Sequence, residues 1–434
     1  MFKKSNLLLS ITLMVGLLLL SSTMVMANES FTYWSMWEKG EPQQKVLEQA
    51  IKDFEEQFDV TVNVNWAGRD VVTALKPRFL SGENIDMTDQ SGEELYGGLV
   101  AGGVAATMND VLEMSVPNED ATVGDVLIPE SYDAYVREDG SLYIIPYNFI
   151  TSVFWYDKVL FNDLGIEAPE TWDEFLEMSE ILKDNNIDPV AFGIQTDVYR
   201  GYFPYHAAER ILGKNALNNA ASDPTGEAFE DPRWERVGDI LYQFSKEGKD
   251  LLMQGYESSV YPAPQMDWVM GMAGTFYCGT WIPVETREAA GENFEYGAFK
   301  FPTFEDADGD PTAVETYPIG FSVLKDAENA DLAKKFVAFF LQEKYAKQWV
   351  EVTKNMTPRA GVEAPAELAD AKKLLDNANS TFRLYDGVQA DQPEWYASVF
   401  LPLASEVLLG EINGEEYAEK MRTETIKFWE NKNN

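Results

Sequence analysis

The sequence predicts an α/β protein whose opening segment forms parallel strands of a sheet. Residues 31–34 are three aromatic residues and a β-branched threonine, as is typical of a strand. Apolar residues then recur at three- and four-residue spacing between Val46 and Phe58, as in a helix. From Val60 to Trp66 apolar and polar residues alternate, which is the period of a half-buried strand. Because a strand–helix–strand unit lays its helix across the sheet, the two strands are expected to run parallel.

Later segments continue the alternation of helices and strands. Thr171 and Glu174 have the spacing of a capping box and follow Pro169, so a helix is predicted to begin there. Further helices are predicted around residues 332–340 and 415–429. The Pro-, Asp- and Gly-rich residues 302–311 predict a loop, and the chain shows no internal repeat.

Composition excludes several classes of protein. The 434 residues suggest either about three domains or two large lobes. With 45% hydrophobic and 13% aromatic residues, a disordered chain is excluded. The net charge of −39 repels phosphate backbones and anionic lipids, so nucleic acid is not an expected partner. A single cysteine, Cys278, excludes a disulfide framework, and its position in a predicted strand suggests a buried thiol.

The first 27 residues have the pattern of a secretory signal peptide. Lys3 and Lys4 precede an apolar run at residues 7–20, and small residues lead to Ala27, after which cleavage is expected. This run is shorter than the ~20 residues that a membrane-spanning helix needs. The only cysteine lies far from the cleavage site, so no lipid anchor is expected. The mature protein is therefore predicted to be periplasmic or secreted.

Residues suited to catalysis or metal binding are few. His206 is the only histidine and no G-x-S-x-G motif accompanies it, so His206 is expected to be a packed or surface residue. The chain has too few histidines and cysteines to bind zinc, and it has no glycine-rich motif for a nucleotide. No cofactor is therefore expected. Asp306, Asp308 and Asp310 lack the full spacing of a calcium loop and predict a solvated turn. Among 73 acidic residues, no carboxylate pair indicates a glycosidase.

Aromatic residues next to polar ones stand at predicted strand ends and in loops. In open α/β sheets, ligands bind beyond the carboxyl ends of strands. An aromatic plane packs against the C–H face of a sugar while carboxylates, amides and arginine bind its hydroxyls. The alternative for each aromatic residue is an ordinary place in the core. The candidates are Trp37 with Glu38, Trp66 with Arg69, Tyr199 with Arg200, Trp281, and Trp395.

The order and the amino-acid sequences of these segments resemble those of the extracellular solute-binding proteins of sugar ABC transporters, the group of maltose-binding protein. The resemblance covers nearly the whole mature chain, and Pro169-Glu-Thr-Trp-Asp-Glu-Phe175 is its most specific part. The other matching segments are residues 31–37, residues 81–86 with Ile85 in place of the usual proline, residues 139–146, 155–158, 279–281, 296–302 and 357–359.

The resemblance implies two α/β lobes joined by crossing segments, with the ligand in the cleft between them. It implies a first lobe of residues 28–148 plus 308–356 and a second of residues 149–307 plus 357–434. Binding closes the hinge, since only the closed state contacts the ligand from both sides. The positions that the resemblance implies to contact the ligand are Trp37, Glu38, Gln90, Glu93, Asn148, Tyr199, Trp281, Arg359 and Trp395. Trp66 is added as a ligand contact from its place at a strand end.

The sequence thus predicts a monomeric periplasmic protein that binds a sugar, by expectation a di- or oligosaccharide, and delivers it to the permease subunits of an ABC transporter. Gln90 stands where the family often has a stacking aromatic residue, which argues against a maltose-like ligand. The alternatives are an exported enzyme acting on glycans, or a binder of a non-sugar solute such as a polyol or small peptide on the same fold.

Overall fold

The computed structural model describes residues 29–432, so the predicted signal peptide and its cleavage after Ala27 lie outside the described part of the chain. Within that part the protein is a mixed α/β structure with two separate sheets. The strands are β1 (Ser30–Ser35), β2 (Thr61–Trp66), β3 (Met87–Ser91), β4 (Ile145–Ile150), β5 (Ser152–Asp157), β6 (Asp188–Ala191), β7 (Ala273–Gly279), β8 (Tyr296–Phe299), β9 (Val314–Val323) and β10 (Thr381–Arg383).

Helices connect and cover the strands. In chain order the α-helices are α1 (Pro42–Phe58), α2 (Val71–Leu80), α3 (Gly92–Leu95), α4 (Asn109–Leu112), α5 (Val123–Val126), α6 (Lys158–Leu164), α7 (Trp172–Asp184), α8 (Asp197–Leu212), α9 (Ala216–Ala221), α10 (Arg233–Phe244), α11 (Ala263–Val269), α12 (Ile282–Thr286), α13 (Ala330–Phe340), α14 (Glu343–Thr353), α15 (Ala369–Asp376), α16 (Val388–Asp391), α17 (Pro393–Trp395), α18 (Leu401–Leu408) and α19 (Gly414–Lys432). Two π-helical turns, Tyr96–Val100 and Tyr396–Phe400, and five 3₁₀ turns, Pro129–Ser131, Asp133–Tyr135, Glu227–Glu230, Ala366–Leu368 and Leu384–Gly387, complete the described helical segments.

The first sheet has the strand order β10-β9-β3-β1-β2, with β4 also paired to β9. As predicted, β1 and β2 are parallel, with Ser30 opposite Thr61, and β3 joins β1 in the same direction. The rest of the sheet differs from the expected parallel arrangement, because β9 pairs antiparallel with both β3 and β4. The parallel strands β1, β2 and β3 therefore share one edge at which their carboxyl ends meet.

The second sheet has the order β6-β7-β5-β8 and is also mixed. Only β6 and β7 run parallel, while β5 is antiparallel to β7 and β8. The capping box before α7 is present: the Thr171 hydroxyl accepts from the Glu174 amide, and the Glu174 carboxylate accepts from the Thr171 amide at 3.0 Å. The predicted helices at 332–340 and 415–429 are confirmed as parts of α13 and α19.

Buried apolar residues form two clusters, one around each sheet. The first cluster draws on residues 31–150 and 319–349, and the second on residues 149–314 and 356–421, with Ala390 as an outlier that joins the first. Trp281 and Tyr317 pack against both clusters, so they mark the place where the two bodies meet. The exact lobe boundaries given above remain a prediction.

Cys278 lies in β7 with 1% of its surface exposed, as the sequence predicted. Burial also raises the pKa of its thiol, so the reactive thiolate is scarce at neutral pH. We therefore expect a thiol reagent to label the native protein slowly and the denatured protein at once. Rapid labelling of the native protein would contradict this placement of β7.

Between residues 29 and 432, none of the helices combines the length and the apolar character that crossing a bilayer requires.

Candidate functional site

A cavity of about 570 Å³ lies at the carboxyl edge of the parallel strands, between the two bodies. The first body contributes the segments that follow β1, β2 and β3, and the second contributes Trp281, Val284 and Glu285 around the start of α12. The polar part of the lining consists of Glu41, Gln43, Arg69, Asp70, Thr73, Gln90, Ser91, Glu94, Asn148, Glu285, Tyr317 and Asn355.

The structure brings four of the predicted ligand contacts into this cavity, namely Trp37, Gln90, Asn148 and Trp281. Trp37 follows β1, at a strand end as the sequence suggested, and Gln90, which the resemblance implied, is near the end of β3. Asn148 lies in β4, where its side-chain oxygen accepts a hydrogen bond from Trp349 Nε1 at 3.3 Å. These four residues belong to both bodies, which is the arrangement a cleft ligand requires.

Trp37 is held in place on several sides. Its Nε1 donates to the Tyr147 hydroxyl at 2.8 Å, and the Trp349 ring meets it edge-on with centroids 6.0 Å apart. The Arg69 guanidinium lies over the indole at 4.6 Å from the ring centroid. Only 4% of Trp37 is exposed as a result. A ligand that stacks on this indole must therefore displace Arg69 from the ring.

Arg69 is itself tied to the helix that follows β1. Its two terminal nitrogens donate to the two oxygens of Glu41 at 2.6 and 3.1 Å, and one of them also donates to the Met36 carbonyl at 2.8 Å. Gln90 Nε2 donates to the Arg69 carbonyl at 2.6 Å. These contacts join the loops after β1, β2 and β3 into one wall.

A buried acid supports this wall from behind. Asp89 accepts from the Met36 amide at 2.9 Å and from the Tyr147 hydroxyl that also holds Trp37. Burial raises the pKa of Asp89 to about 6, although its hydrogen bonds oppose that shift. Asp89 thus holds the backbone next to Trp37 and the tyrosine to which the Trp37 indole donates.

The opposite wall is formed around Trp281, which follows β7 and is the N-cap residue of α12. Its ring crosses Gly279 so closely that a Cβ there would lie 1.9 Å from the indole, which is why this position needs glycine. Trp281 is half-buried, and its centroid is 6.4 Å from that of Tyr317 in β9. Next to it, Glu285 accepts from Gln265 Nε2 at 3.1 Å, and partial burial raises its pKa.

Two of the predicted aromatic contacts lie in the core of the second body and must be corrected. Trp395 is fully buried, stacks between Phe229 and Phe400, and donates from Nε1 to the Thr425 hydroxyl at 2.9 Å. Tyr199 is 3% exposed within α8 and meets the Phe276 ring edge-on. Neither lines the cavity, because both supply apolar surface that the second cluster buries.

Two predicted polar contacts are engaged in ion pairs instead. Glu93 is buried and forms a bidentate ion pair with Arg383. Arg383 Nε donates to Glu93 Oε1 at 2.9 Å, and a terminal nitrogen of Arg383 donates to Oε2 at 2.8 Å. Arg359 is buried and contacts the Glu119 carboxylate and the Leu341 carbonyl. Both belong to the framework of the protein and not to the cavity wall.

Trp66 and Glu38 also lie outside the cavity lining. Trp66, the last residue of β2, is half-buried and packs edge-on against Tyr33 with centroids 6.3 Å apart. Glu38 is exposed, and its carboxylate lies beside Gly68.

The sequence interpretation missed most of the acidic lining. Glu41 and Asp70 are the N-cap residues of α1 and α2, and Glu94 lies in the first turn of α3. Each follows a parallel strand by only a few residues, so the same strand-end rule that found Trp37 could have found them. Tyr317 and Asn355 carried no such signal, because β9 and the segment after α14 reach the cavity from distant parts of the chain.

The remaining sequence candidates have partners inside the protein. His206 is 2% exposed, with its ring nitrogens 3.0 Å from the Tyr202 carbonyl and 2.5 Å from the Tyr277 hydroxyl. Asp308 contacts Arg233, and Asp310 accepts from the Thr312 amide at 2.8 Å and the Ser380 hydroxyl at 2.7 Å. The described ranges contain no group of three His, Cys, Asp or Glu residues placed to hold a metal ion.

Two buried acids and one buried histidine predict how stability depends on pH. Burial raises the pKa of Asp89 to about 6 and that of Glu315 to about 7, and it lowers the pKa of His206 well below its usual value. The folded protein therefore binds protons at Asp89 and Glu315 that the unfolded chain releases, and this stabilisation is lost as the pH rises through 6 and 7. His206 acts in the opposite sense, because below about pH 6.5 only the unfolded chain protonates it.

From about pH 8 to about pH 6 these two acids alone outweigh the histidine. Burial also raises the pKa of Glu209 and that of Asp386, which adds to the gain. We therefore expect the free energy of unfolding to rise by at least about 1 kcal/mol. Melting curves in that interval measure it. Glu315→Gln, which resembles the protonated form, is expected to flatten the dependence. A melting temperature that falls between pH 8 and 6 would contradict the prediction.

Comparison with known proteins agrees with this architecture. The family model of the bacterial extracellular solute-binding proteins matches residues 39–347. The diacetylchitobiose-binding protein NgcE of Streptomyces coelicolor is 23% identical over 73% of this chain and 68% of its own. The melibiose/raffinose/stachyose-binding protein MelE of Bacillus subtilis is 22% identical over 86% of this chain and 81% of its own.

Among solved structures, the binding protein MsmE of Bacillus subtilis in an open conformation superposes with a TM-score of 0.74. It covers 94% of this chain and 100% of that one at 16% identity, so the likeness concerns the fold. Together, the two-body fold with a cleft and the family match define a solute-binding protein. The chain belongs to the bacterial extracellular solute-binding protein family. The resemblance and the two-lobed fold class predicted from the sequence are thereby confirmed.

Proposed function

We propose that this protein captures an oligosaccharide in the cavity between its lobes and delivers it to the permease of an ABC transporter. The observation that carries the proposal is the composition of the cavity, in which Trp37 stands on one lobe and Trp281 on the other, with amide and carboxylate groups between them. Aromatic planes suit the C–H faces of sugars, and the polar groups suit their hydroxyls. Relatives named for sugars such as diacetylchitobiose and raffinose support this ligand class.

The position of the two cavity walls on different lobes indicates how the ligand is captured. The walls come from both lobes, and a ligand that touches Trp37 and Trp281 together favours the state in which the lobes are close. Hinge closure around the ligand then presents a distinct surface to the permease. The protein supplies recognition and closure, and we propose no bond-making or bond-breaking step.

The protein is proposed to act in the periplasm after export. A signal peptide removed after Ala27 and the absence of a lipid anchor would leave a periplasmic monomer, free to move between ligand and permease. Its membership of an extracellular family supports this location.

A thermal-shift screen tests the function. Because a ligand that binds only the folded state raises the midpoint, a concentration of 100 times Kd is expected to add about 2.7 kcal/mol of stability. The panel holds raffinose, stachyose, maltotriose and chitobiose derivatives, with amino acids and polyols as the contrasting set. If polyols or short peptides raised the midpoint and sugars did not, the rival binder of other solutes would replace the proposal.

Chromatography of each sugar after long incubation separates a binder from an enzyme. Unchanged sugar is expected, since the relatives are binding proteins. Appearance of shorter products would favour the exported glycan-acting enzyme.

A further inference from the structure

Negative charge dominates the cavity. Four carboxylates line it, those of Glu41, Asp70, Glu94 and Glu285, and among the described lining residues Arg69 is the only cation. The acids stand on both walls, with Glu285 on the second lobe and the other three on the first. A solute placed between them meets carboxylates from two directions.

The one cation of the lining is already engaged. Arg69 forms a bidentate ion pair with Glu41, with N–O distances of 2.6 and 3.1 Å, and lies over the Trp37 ring. Within residues 29–432, the carboxylates of Asp70, Glu94 and Glu285 make no ion pair with any lysine or arginine. These three carboxylates therefore lack a partner in direct contact, although Arg69 attracts that of Glu285 at longer range.

The surroundings make two of these carboxylates costly to ionise. Loss of water around Glu94, followed by repulsion from Glu93 and Asp70, raises the pKa of Glu94. On the facing wall, partial burial raises the pKa of Glu285. Each group would gain from a positive charge placed next to it.

We infer that the ligand of this cavity is an oligosaccharide with free amino groups, a glucosamine-type sugar whose ammonium lies among Asp70, Glu94 and Glu285. The inference rests on the proposed function, because Trp281 and Tyr317 still supply the aromatic surface for the sugar ring. An ammonium group binds a carboxylate through charge-assisted hydrogen bonds, and an N-acetyl group abolishes that charge. The net charge of −39 also draws such cations toward the protein.

Titration calorimetry with a matched pair of sugars tests the inference. The probes are the fully deacetylated disaccharide of glucosamine and its N,N′-diacetyl counterpart, at about pH 6 and low salt. We expect the amine to bind at least about tenfold more tightly, and added salt to weaken the amine but not the acetylated sugar. Glu94→Gln is expected to remove most of that preference.

A control variant separates the local effect from the overall charge. Glu56 is exposed on α1 and lies outside the cavity, so Glu56→Gln changes the net charge equally and is expected to keep the full preference. Spermidine tests whether charge alone suffices, and it is expected to bind far more weakly than the amino sugar because it offers no ring.

The outcomes are distinct. If the acetylated or another neutral sugar binds as tightly as the amine, or if Glu94→Gln keeps the preference, the charged-ligand inference is overturned while the proposed function stands. If spermidine matches the amino sugar, the requirement for a sugar is overturned. If no sugar binds at all, the proposed function itself fails.

Discussion

Trp281→Ala is expected to weaken sugar binding by about ten- to a hundredfold, with little change in melting temperature. The indole is half-buried, lines the cavity and reaches Tyr317, so its removal takes an aromatic anchor from the ligand and leaves both cores filled. Loss of such an anchor costs about 1–3 kcal/mol of binding free energy. Calorimetry and the saturable change of intrinsic fluorescence on titration measure the effect.

Trp395→Ala is the matched control and is expected to behave in the opposite way. This indole is fully buried and packed against Phe229 and Phe400, so its truncation is expected to cost ~3–5 kcal/mol of stability. The folded fraction should bind sugar with unchanged affinity. If Trp281→Ala melted early and bound normally, or if Trp395→Ala lost affinity while folded, the assignment of the two residues would be reversed.

Much of the fold could be predicted because its signals are local. The alternation of Val60 to Trp66 and the Thr171–Glu174 capping box depend on residues a few positions apart, and both are present in the structure. The antiparallel pairing of β9 with β3 and β4 could not be predicted, since it joins segments that are about 170 to 230 residues apart in sequence. The mixed character of both sheets follows from such long-range pairings.

The site was predictable to the extent that it lies at strand ends. Trp37 follows a parallel strand, and the strand-end rule placed it in the cavity lining, while Gln90 in β3 was reached through the family resemblance. Trp395 has the same local signal, a tryptophan among polar neighbours after a proline, yet it fills the core. Aromatic residues serve both purposes, and only the folded structure separates them. Glu41, Asp70 and Glu94 also follow parallel strands, but a carboxylate there is a weaker signal than a tryptophan because the chain has 73 acidic residues.

The ion pair of Glu93 with Arg383 is a second place where a large effect is expected. Glu93 in α3 has 1% of its side chain exposed and Arg383 in β10 has 15%, so water cannot replace either partner. The Arg383 guanidinium also lies 5.6 Å from the Tyr96 ring centroid and 5.3 Å from that of Tyr135. Arg383→Met keeps the apolar stem and is expected to destabilise the protein by about 3–5 kcal/mol, because it leaves a buried carboxylate without its partner.

Two comparisons distinguish loss of the ion pair from a packing defect. The double variant Glu93→Gln with Arg383→Met removes the stranded charge and is expected to recover most of the lost stability. Lys347→Met breaks the exposed pair with Glu343, whose atoms are 2.6 Å apart, and is expected to leave the melting temperature almost unchanged. Equal destabilisation of the single and double variants would show that Arg383 stabilises the protein through its other contacts, the Asp391 carboxylate at 3.0 Å and the rings of Tyr96 and Tyr135, and not through Glu93.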